Sequence, residues 1–174
     1  YDVVDNAYWS KSVVEESGGY LLSIGRFIPK KNFANLIEAY AKVQEKTDLE
    51  VPKLRIVGAG PEEFRLKQLV ENLSLGDKVS IEPYRKPTEL RQIYHGARLF
   101  VLASNHEEQW GLVVNEAIAA GVPVLASEKI GAVPDLVEHS VTGWTFDPYR
   151  VSSIEDALSY ALRSPGQMKA YNIE

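Results

Sequence analysis

Short apolar runs alternate along the chain with longer segments in which apolar residues recur every three or four positions. The runs are four or five residues long and mostly apolar on both faces, as is typical of buried parallel strands: Tyr20–Ile24, Lys53–Val57, Lys78–Ile81, Leu99–Ala103, Val122–Ala126 and Gly143–Phe146. The longer repeat predicts helices over Phe33–Gln44, Pro61–Leu73, Pro87–His95, Leu112–Ala120 and Ser152–Arg163. Together they predict an α/β fold, a doubly wound parallel sheet of about six strands with helices on both faces.

Residues at the helix ends support these boundaries. Asn32 is a predicted N-cap, Pro61 and Pro87 suit first helical turns, and Gly121 suits the position after a helix end. In a doubly wound sheet, ligands bind at the carboxyl ends of the strands, beside the point where the strand order reverses. The polar clusters that directly follow strands are therefore the candidates for chemistry.

Composition fits one domain and excludes several functions. The chain has 174 residues, of which 45% are hydrophobic, and its net charge of −5 argues against nucleic acid as a partner. It has no cysteine, which excludes disulfides and thiolate metal sites. No apolar run approaches the roughly 18 residues of a transmembrane segment.

The two ends of the chain differ in character from its middle. We predict a linker over residues 1–19, one folded domain over 20–165 and a truncated segment over 166–174. Because the chain begins without methionine and ends in a polar stretch, we interpret it as a fragment of a longer protein.

A basic loop follows the first predicted strand. It begins with Gly25 and Arg26 and ends at Lys31. A guanidinium forks onto phosphate oxygens and an ammonium acts as a point charge, so the loop suits a diphosphate. A solvated basic loop is the alternative for this segment.

The turns after the second and third strands are less specific. Gly58-Ala59-Gly60 imitates a dinucleotide fingerprint, but Glu63 occupies the place of the third glycine, so a tight turn is the better interpretation. After the third strand, Tyr84 and Arg85 could face a nucleobase, although a plain loop of this composition is common.

Two glutamates bracket the start of the helix predicted from Leu112. Glu108 and Glu116 are eight positions apart, whereas the equivalent partner of Glu107 is Asn115. Glu116 lies about five residues into the predicted helix, which at 1.5 Å per residue is about 7 Å along the axis from the helix start. The pair could reach both ends of an elongated polar ligand, with the helix N-terminus facing its phosphates. Two surface glutamates are the alternative.

Other arrangements are excluded or left open. His95, His106 and His139 lack metal-ligand spacing, and Ser104 and Ser127 lack the glycines of a nucleophile elbow. Gly131, after the fifth strand, would permit close backbone contact with a ligand, or it marks a structural turn.

In these residues the chain resembles the C-terminal, donor-binding half of family-four (group one) retaining glycosyltransferases of the Rossmann-like GT-B fold. Gly25-Arg26 with Lys31 resembles the phosphate-gripping loop of that family, and Glu108 with Glu116 matches its Glu-x7-Glu motif. Gly131…Pro134-Asp135 and Thr142-Gly143 resemble later landmarks. Four departures are Asn32 in place of glycine, Ala132 in place of a second glycine, Ala103 where proline is frequent, and one extra residue between Ser104 and Glu108.

The resemblance implies an enzyme that transfers a sugar from a nucleotide-diphosphate sugar of the UDP or GDP type, in glycan or polysaccharide biosynthesis. Arg26 and Lys31 would bind the diphosphate, Glu108 would hold sugar hydroxyls, and Glu116 would bind the ribose. The catalytic residues would be Glu108, Arg26 and Lys31. The substrate-binding set would further include Gly25, Tyr84, Arg85, Trp110, Gly111, Leu112 and Val113.

The resemblance also implies that neither a metal nor a cofactor is needed. The glycan or lipid-linked acceptor would bind a missing N-terminal domain, without which the fragment would be inactive. Its location would be cytoplasmic, or at the inner face of a membrane through the rest of the protein. Two alternatives are a nucleotide-sugar 2-epimerase and a non-catalytic nucleotide-binding or interaction module.

Overall fold

Six parallel strands form one sheet in the order β3-β2-β1-β4-β5-β6 in the computed structural model, which describes residues 5–10, 19–46, 48–106 and 108–164. The strands are β1 Tyr20–Ile24, β2 Lys53–Gly58, β3 Val79–Pro83, β4 Ala97–Leu102, β5 Val124–Ser127 and β6 Gly143–Phe146. The helices are α1 Asn6–Ser10, α2 Phe33–Gln44, α3 Glu63–Asn72, α4 Pro87–His95, α5 Leu112–Ala119, α6 Val133–Leu136 and α7 Val151–Arg163. The predicted fold class is confirmed.

Each face of the sheet is covered by helices. Successive strand residues point to opposite faces, so Leu21 belongs to a core cluster with residues of α2, α3 and α7, while Leu22 belongs to a second cluster with residues of α1, α4, α5 and α6. Both faces of the strands are therefore apolar, which explains why the strands read as continuous apolar runs.

The strand order reverses between β1 and β4. From β1 the chain proceeds through β2 to β3 on one side, and from β4 through β5 to β6 on the other. The loops after β1 and β4 consequently diverge and leave a crevice at the carboxyl edge of the sheet.

Several predicted boundaries shift by one or two residues. β4 begins at Ala97 and ends before Ala103, and α3 begins at Glu63 because the Gly60–Glu62 segment forms a turn in which the Glu63 N–H bonds to the Gly60 carbonyl at 3.2 Å. At their ends, β2 and β5 each extend one residue beyond the prediction. At their starts, β3 begins one residue and β5 two residues later than predicted. Helix α5 ends one residue earlier, at Ala119, and α7 begins one residue earlier, at Val151.

Three short elements were not predicted, namely α1, α6 and the 3-10 turn Pro29–Lys31. Elements of three to five residues are too short to show an apolar repeat. Helix α1 falls within the predicted linker, and its Trp9 is buried against the domain. Residues 1–4 and 11–18, the predicted tail 166–174 and Glu107 lie outside the described residues.

The predicted N-cap position of Asn32 is confirmed, but its side chain does not cap the helix. Asn32 occupies the N-cap position of α2, but with φ 57° and ψ 32° its side chain makes no capping hydrogen bond. Its amide Nδ2 instead donates to the Pro148 carbonyl at 2.9 Å. Asparagine tolerates the left-handed region better than most residues, which explains how it replaces a glycine here.

None of the helices in the described part of the chain combines the length and apolar character that crossing a bilayer requires.

Candidate functional site

The loop after β1 is anchored to the turn after β2 by backbone hydrogen bonds. The Phe27 N–H donates to the Ala59 carbonyl at 2.8 Å, and the Glu62 N–H donates to the Phe27 carbonyl at 3.0 Å. The Phe27 ring is fully buried, whereas the preceding Arg26 is exposed. Within the described residues the Arg26 guanidinium makes neither an ion pair nor a side-chain hydrogen bond. The loop thus presents a positive charge on a fixed backbone.

Lys31 turns back over this loop and pairs with Glu108. Its aliphatic chain covers Gly25, where a Cβ would lie 3.2 Å from the Lys31 Cε. Its Nζ donates to the Glu108 Oε1, and the two side chains are only 12% and 15% exposed. The contact crosses the crevice between β1 and β4, at the position where a doubly wound sheet binds its ligand.

Both oxygens of the Glu108 carboxylate have partners. The fully buried Ser104 donates its hydroxyl to Oε2, while Lys31 donates to Oε1. The extra residue between Ser104 and Glu108 therefore does not separate the two side chains. Because both oxygens are fixed, the carboxylate is held in one orientation before any ligand arrives.

Backbone hydrogen bonds join the loops after β1, β4 and β5. The Asn105 N–H donates to the Lys30 carbonyl at 3.0 Å, and the Gly131 N–H donates to the Glu108 carbonyl at 2.9 Å. A Cβ at Gly131 would lie 2.0 Å from the Gln109 carbonyl oxygen, so only glycine permits this approach. Gly131 thus makes its close backbone contact with the loop that carries Glu108, whereas contact with a ligand stays a prediction.

Helix α5 begins at the crevice. Gly111 is its N-cap with φ 91°, in the left-handed region that favours glycine. The first-turn N–H groups of a helix carry partial positive charge and attract anions. The side chain of Leu112 is 41% exposed here, and the Trp110 Nε1 donates to the Asn115 Oδ1 at 2.8 Å. This bond provides the partner that Asn115 requires on an inward-facing helix.

Glu116 lies one turn further along α5 and is half-buried. The Tyr94 hydroxyl donates to its Oε2 at 2.9 Å. Burial raises the pKa of the Glu116 carboxyl above its ordinary value, and the hydrogen bond from Tyr94 offsets part of that rise. Burial, followed by the neighbouring Glu116 charge, raises the pKa of Tyr94 well above its ordinary value, so the phenol remains a donor.

Glu116 is predicted to destabilise the fold at neutral pH. An acid whose pKa is raised in the native state binds more protons there than in the unfolded chain, so its contribution to stability falls as pH rises through that pKa. Glu116→Gln should therefore raise the melting temperature at pH 7.5 by a few degrees at most. The gain should shrink as pH falls towards about 4.3, the ordinary pKa of glutamate. Thermal melts of both proteins across this range test it, and a less stable variant at pH 7.5 would contradict it.

Tyr84 and Arg85 follow β3 at the same edge of the sheet. Tyr84 is 65% exposed, and the Arg85 Nη1 lies 3.7 Å from the Glu89 Oε1. Neither side chain contacts the Lys31–Glu108 pair in the described structure. Their position at the carboxyl end of an outer strand leaves them available to a ligand that extends along this edge.

The structure thus brings Lys31 and Glu108 into contact and places Arg26 and Glu116 on elements at the same crevice without a mutual contact. Sequence reasoning missed Ser104 and Tyr94. A serine four positions before Glu108 is a weak signal, and Tyr94 offered none. No cluster of three or more potential metal ligands occurs among the described residues.

One cavity of about 310 Å³ lies at the opposite, amino edge of the sheet. It is lined by residues at the starts of β1, β2 and β3, among them Tyr20, Lys53 and Ser80, and by none of the predicted site residues.

Comparisons with known proteins identify a family to which the chain belongs. The profile of the family described as glycosyl transferases group 1 matches residues 6–173. The N-acetyl-alpha-D-glucosaminyl L-malate synthase of Bacillus anthracis is 31% identical over 150 residues, which are 86% of this chain and 38% of that protein. A GDP-mannose-dependent alpha-(1-6)-phosphatidylinositol monomannoside mannosyltransferase of Mycobacterium tuberculosis is 30% identical over 148 residues, 82% of this chain and 38% of that protein.

Solved structures show the same fold. TarM of Staphylococcus aureus superposes with a TM-score of 0.79 at 21% identity, over 90% of this chain and 31% of that chain. The sucrose-phosphate synthase of Thermosynechococcus elongatus superposes with a TM-score of 0.76 at 27% identity, over 98% of this chain and 42% of that chain. The chain therefore spans less than half the length of each of these four proteins.

Proposed function

Since the chain belongs to the glycosyl transferases of group 1, we propose that it forms the domain that binds a nucleotide-diphosphate sugar for a retaining transfer to a glycan or lipid-linked acceptor. The observation that carries this proposal is the Lys31–Glu108 pair in the crevice between β1 and β4. A cation for phosphate and an acceptor for hydroxyls stand side by side there, as the junction between a diphosphate and a sugar requires.

The charges of the site match those of the donor. Lys31 and Arg26 bind the diphosphate together with the N-terminal amides of α5, where Trp110, Gly111, Leu112 and Val113 line the junction with the sugar. Glu108 accepts hydrogen bonds from sugar hydroxyls, and Glu116 accepts from the ribose. Tyr84 and Arg85 contact the base.

The transfer breaks the bond between the anomeric carbon and the diphosphate oxygen, and the electron pair leaves with the diphosphate. Lys31, Arg26 and the dipole of α5 stabilise the negative charge that develops there. The acceptor hydroxyl bonds to the anomeric carbon on the face that the diphosphate leaves and gives its proton to the departing diphosphate oxygen, so the configuration is retained. The acceptor itself binds a second domain of the parent enzyme, across the crevice.

The names of two relatives point to different sugars, and one of the two names includes a nucleotide. One is named for an N-acetylglucosaminyl group and the other for GDP-mannose. We therefore propose a UDP or GDP donor and leave the sugar open. A cytoplasmic location, or one at the inner face of a membrane, stays a prediction of the resemblance.

Calorimetric titration of the 174-residue chain with UDP, GDP and ADP tests the proposal. We expect one nucleotide to bind clearly better than the others, which identifies the base. Absence of heat with all three would contradict the proposal and favour an interaction module derived from a glycosyltransferase.

Arg26→Ala should weaken binding of that nucleotide by about 1.5–3 kcal/mol, the contribution of a charge-assisted hydrogen bond. The loss should be larger at low salt, since Arg26 is exposed and screening reduces its effect. Arg163→Ala removes another partly exposed guanidinium, on α7, and serves as the matched control. If the Arg26 and Arg163 variants bound the nucleotide with equal affinity, Arg26 would not be part of the binding site.

A further inference from the structure

Tyr94 is a buried phenol whose hydroxyl is directed at the candidate site. It lies on α4 and is fully buried, and its hydroxyl donates to the Glu116 Oε2 at 2.9 Å and lies 3.3 Å from the Val113 carbonyl. Both partners belong to α5. The hydroxyl of Tyr94 therefore connects α4 to the helix that starts at the crevice.

The ring of Tyr94 is fixed from two sides. The Trp9 ring of α1 meets it edge-on, with centroids 5.4 Å apart and planes at 90°, and the Phe100 ring of β4 lies at 5.6 Å. Such aromatic pairs favour defined geometries. The phenol therefore has little freedom to move away from Glu116.

The hydrogen bond divides the two oxygens of the Glu116 carboxylate into separate roles. Oε2 accepts from Tyr94, whereas Oε1 accepts no hydrogen bond from the residues that the structure describes. The hydrogen bond from Tyr94 therefore restricts the orientation of the half-buried carboxylate and leaves Oε1 available to a ligand hydroxyl.

We propose that Tyr94 is a positioning residue that orients the Glu116 carboxylate towards the ribose hydroxyls of the donor nucleotide. The inference rests on the proposed function, because it takes the ribose as the ligand of Glu116. It adds that the orientation depends on α4 and on its packing against α1, and not on α5 alone.

The test compares UDP with 2′,3′-dideoxy-UDP, or the GDP pair if guanosine is preferred. The ratio of their dissociation constants measures ribose recognition. Tyr94→Phe should weaken UDP binding about tenfold, as expected for loss of a hydrogen bond to a charged group. Binding of the dideoxy nucleotide should change less than about twofold. In a Glu116→Ala background, Tyr94→Phe should leave the ratio unchanged.

Tyr40→Phe is the matched control. Tyr40 is also fully buried, and its hydroxyl donates to the Pro52 carbonyl at 2.9 Å, but it lies on α2 on the other face of the sheet. Tyr40→Phe should lose about as much stability as Tyr94→Phe, but its ratio of dissociation constants for the two nucleotides should equal that of the parent chain. Equal losses for both nucleotides in Tyr94→Phe, or an unchanged ratio, would overturn the positioning role.

A second readout covers the case in which Tyr94→Phe does not fold. With 3-fluorotyrosine at position 94, the ¹⁹F resonance should move on addition of UDP and much less with the dideoxy nucleotide; identical shifts would overturn the inference. A parent chain that binds both nucleotides equally would refute the ribose role of Glu116 and the inference with it. A parent that binds neither would refute the proposed function itself.

Discussion

Lys31→Ala is expected to weaken nucleoside-diphosphate binding by about 1.5–3 kcal/mol, roughly 10- to 150-fold. Lys31 is 12% exposed, so its ammonium acts in surroundings that screen it less than the exposed Arg26. The change also leaves the Glu108 carboxylate with Ser104 as its remaining side-chain partner, which should lower the free energy of unfolding by about 1–3 kcal/mol. Calorimetry measures the first effect and urea denaturation the second.

Two further variants separate binding from stability. Lys30→Ala removes the neighbouring lysine, which forms no ion pair within the described residues, and should leave both quantities near their parent values. The double variant Lys31→Ala/Glu108→Gln removes both charges of the pair, so it should recover stability without recovering affinity. If Lys30→Ala reduces affinity as much as Lys31→Ala does, general positive charge and not the Lys31–Glu108 pair binds the nucleotide.

Gly131→Ala is expected to destabilise the fold by about 1–3 kcal/mol or more, as overpacking does. The new Cβ would lie 2.0 Å from the Gln109 carbonyl oxygen and 2.9 Å from its carbon, and neither backbone atom can move without displacing the adjacent Glu108. Affinity for a nucleotide-diphosphate sugar should therefore fall more than affinity for the nucleotide alone. Urea denaturation and calorimetry with both ligands measure these changes.

Gly76→Ala provides the control for that substitution. A Cβ at Gly76 would meet no atom within 4 Å, so alanine should be neutral there or slightly stabilising. If Gly131→Ala were as stable as Gly76→Ala and kept its preference between the two ligands, the close approach of the loops after β4 and β5 would have no role in the site.

The long elements could be predicted because local pattern determines them. The bounds of β1, β6, α2 and α4 agree with the sequence prediction to the residue. Strands buried on both faces read as apolar runs, and helices that cover them show an apolar repeat. The order of polar clusters after the strands then placed the candidate residues at one edge of the sheet.

Tertiary contacts between distant residues could not be predicted in the same way. Asparagine commonly caps helices through its side chain, but the side-chain amide of Asn32 donates instead to the Pro148 carbonyl, 116 positions away. Tyr94 fits the apolar face of α4, and nothing in its local sequence indicates that its hydroxyl reaches Glu116, 22 positions on. Such partners are determined by how helices pack, which no single segment specifies.

In the proposed donor site, the Lys31–Glu108 pair would set an order of events for an arriving donor. While the Lys31 ammonium is bonded to Oε1 and the Ser104 hydroxyl to Oε2, each oxygen keeps only part of its acceptor capacity for a sugar. A diphosphate competes for the ammonium and, by drawing it away, frees an acceptor on Glu108. In the proposed site, phosphate binding would thereby increase the number of acceptor positions that Glu108 offers, so discrimination between sugars would be sharper for those attached to a nucleotide.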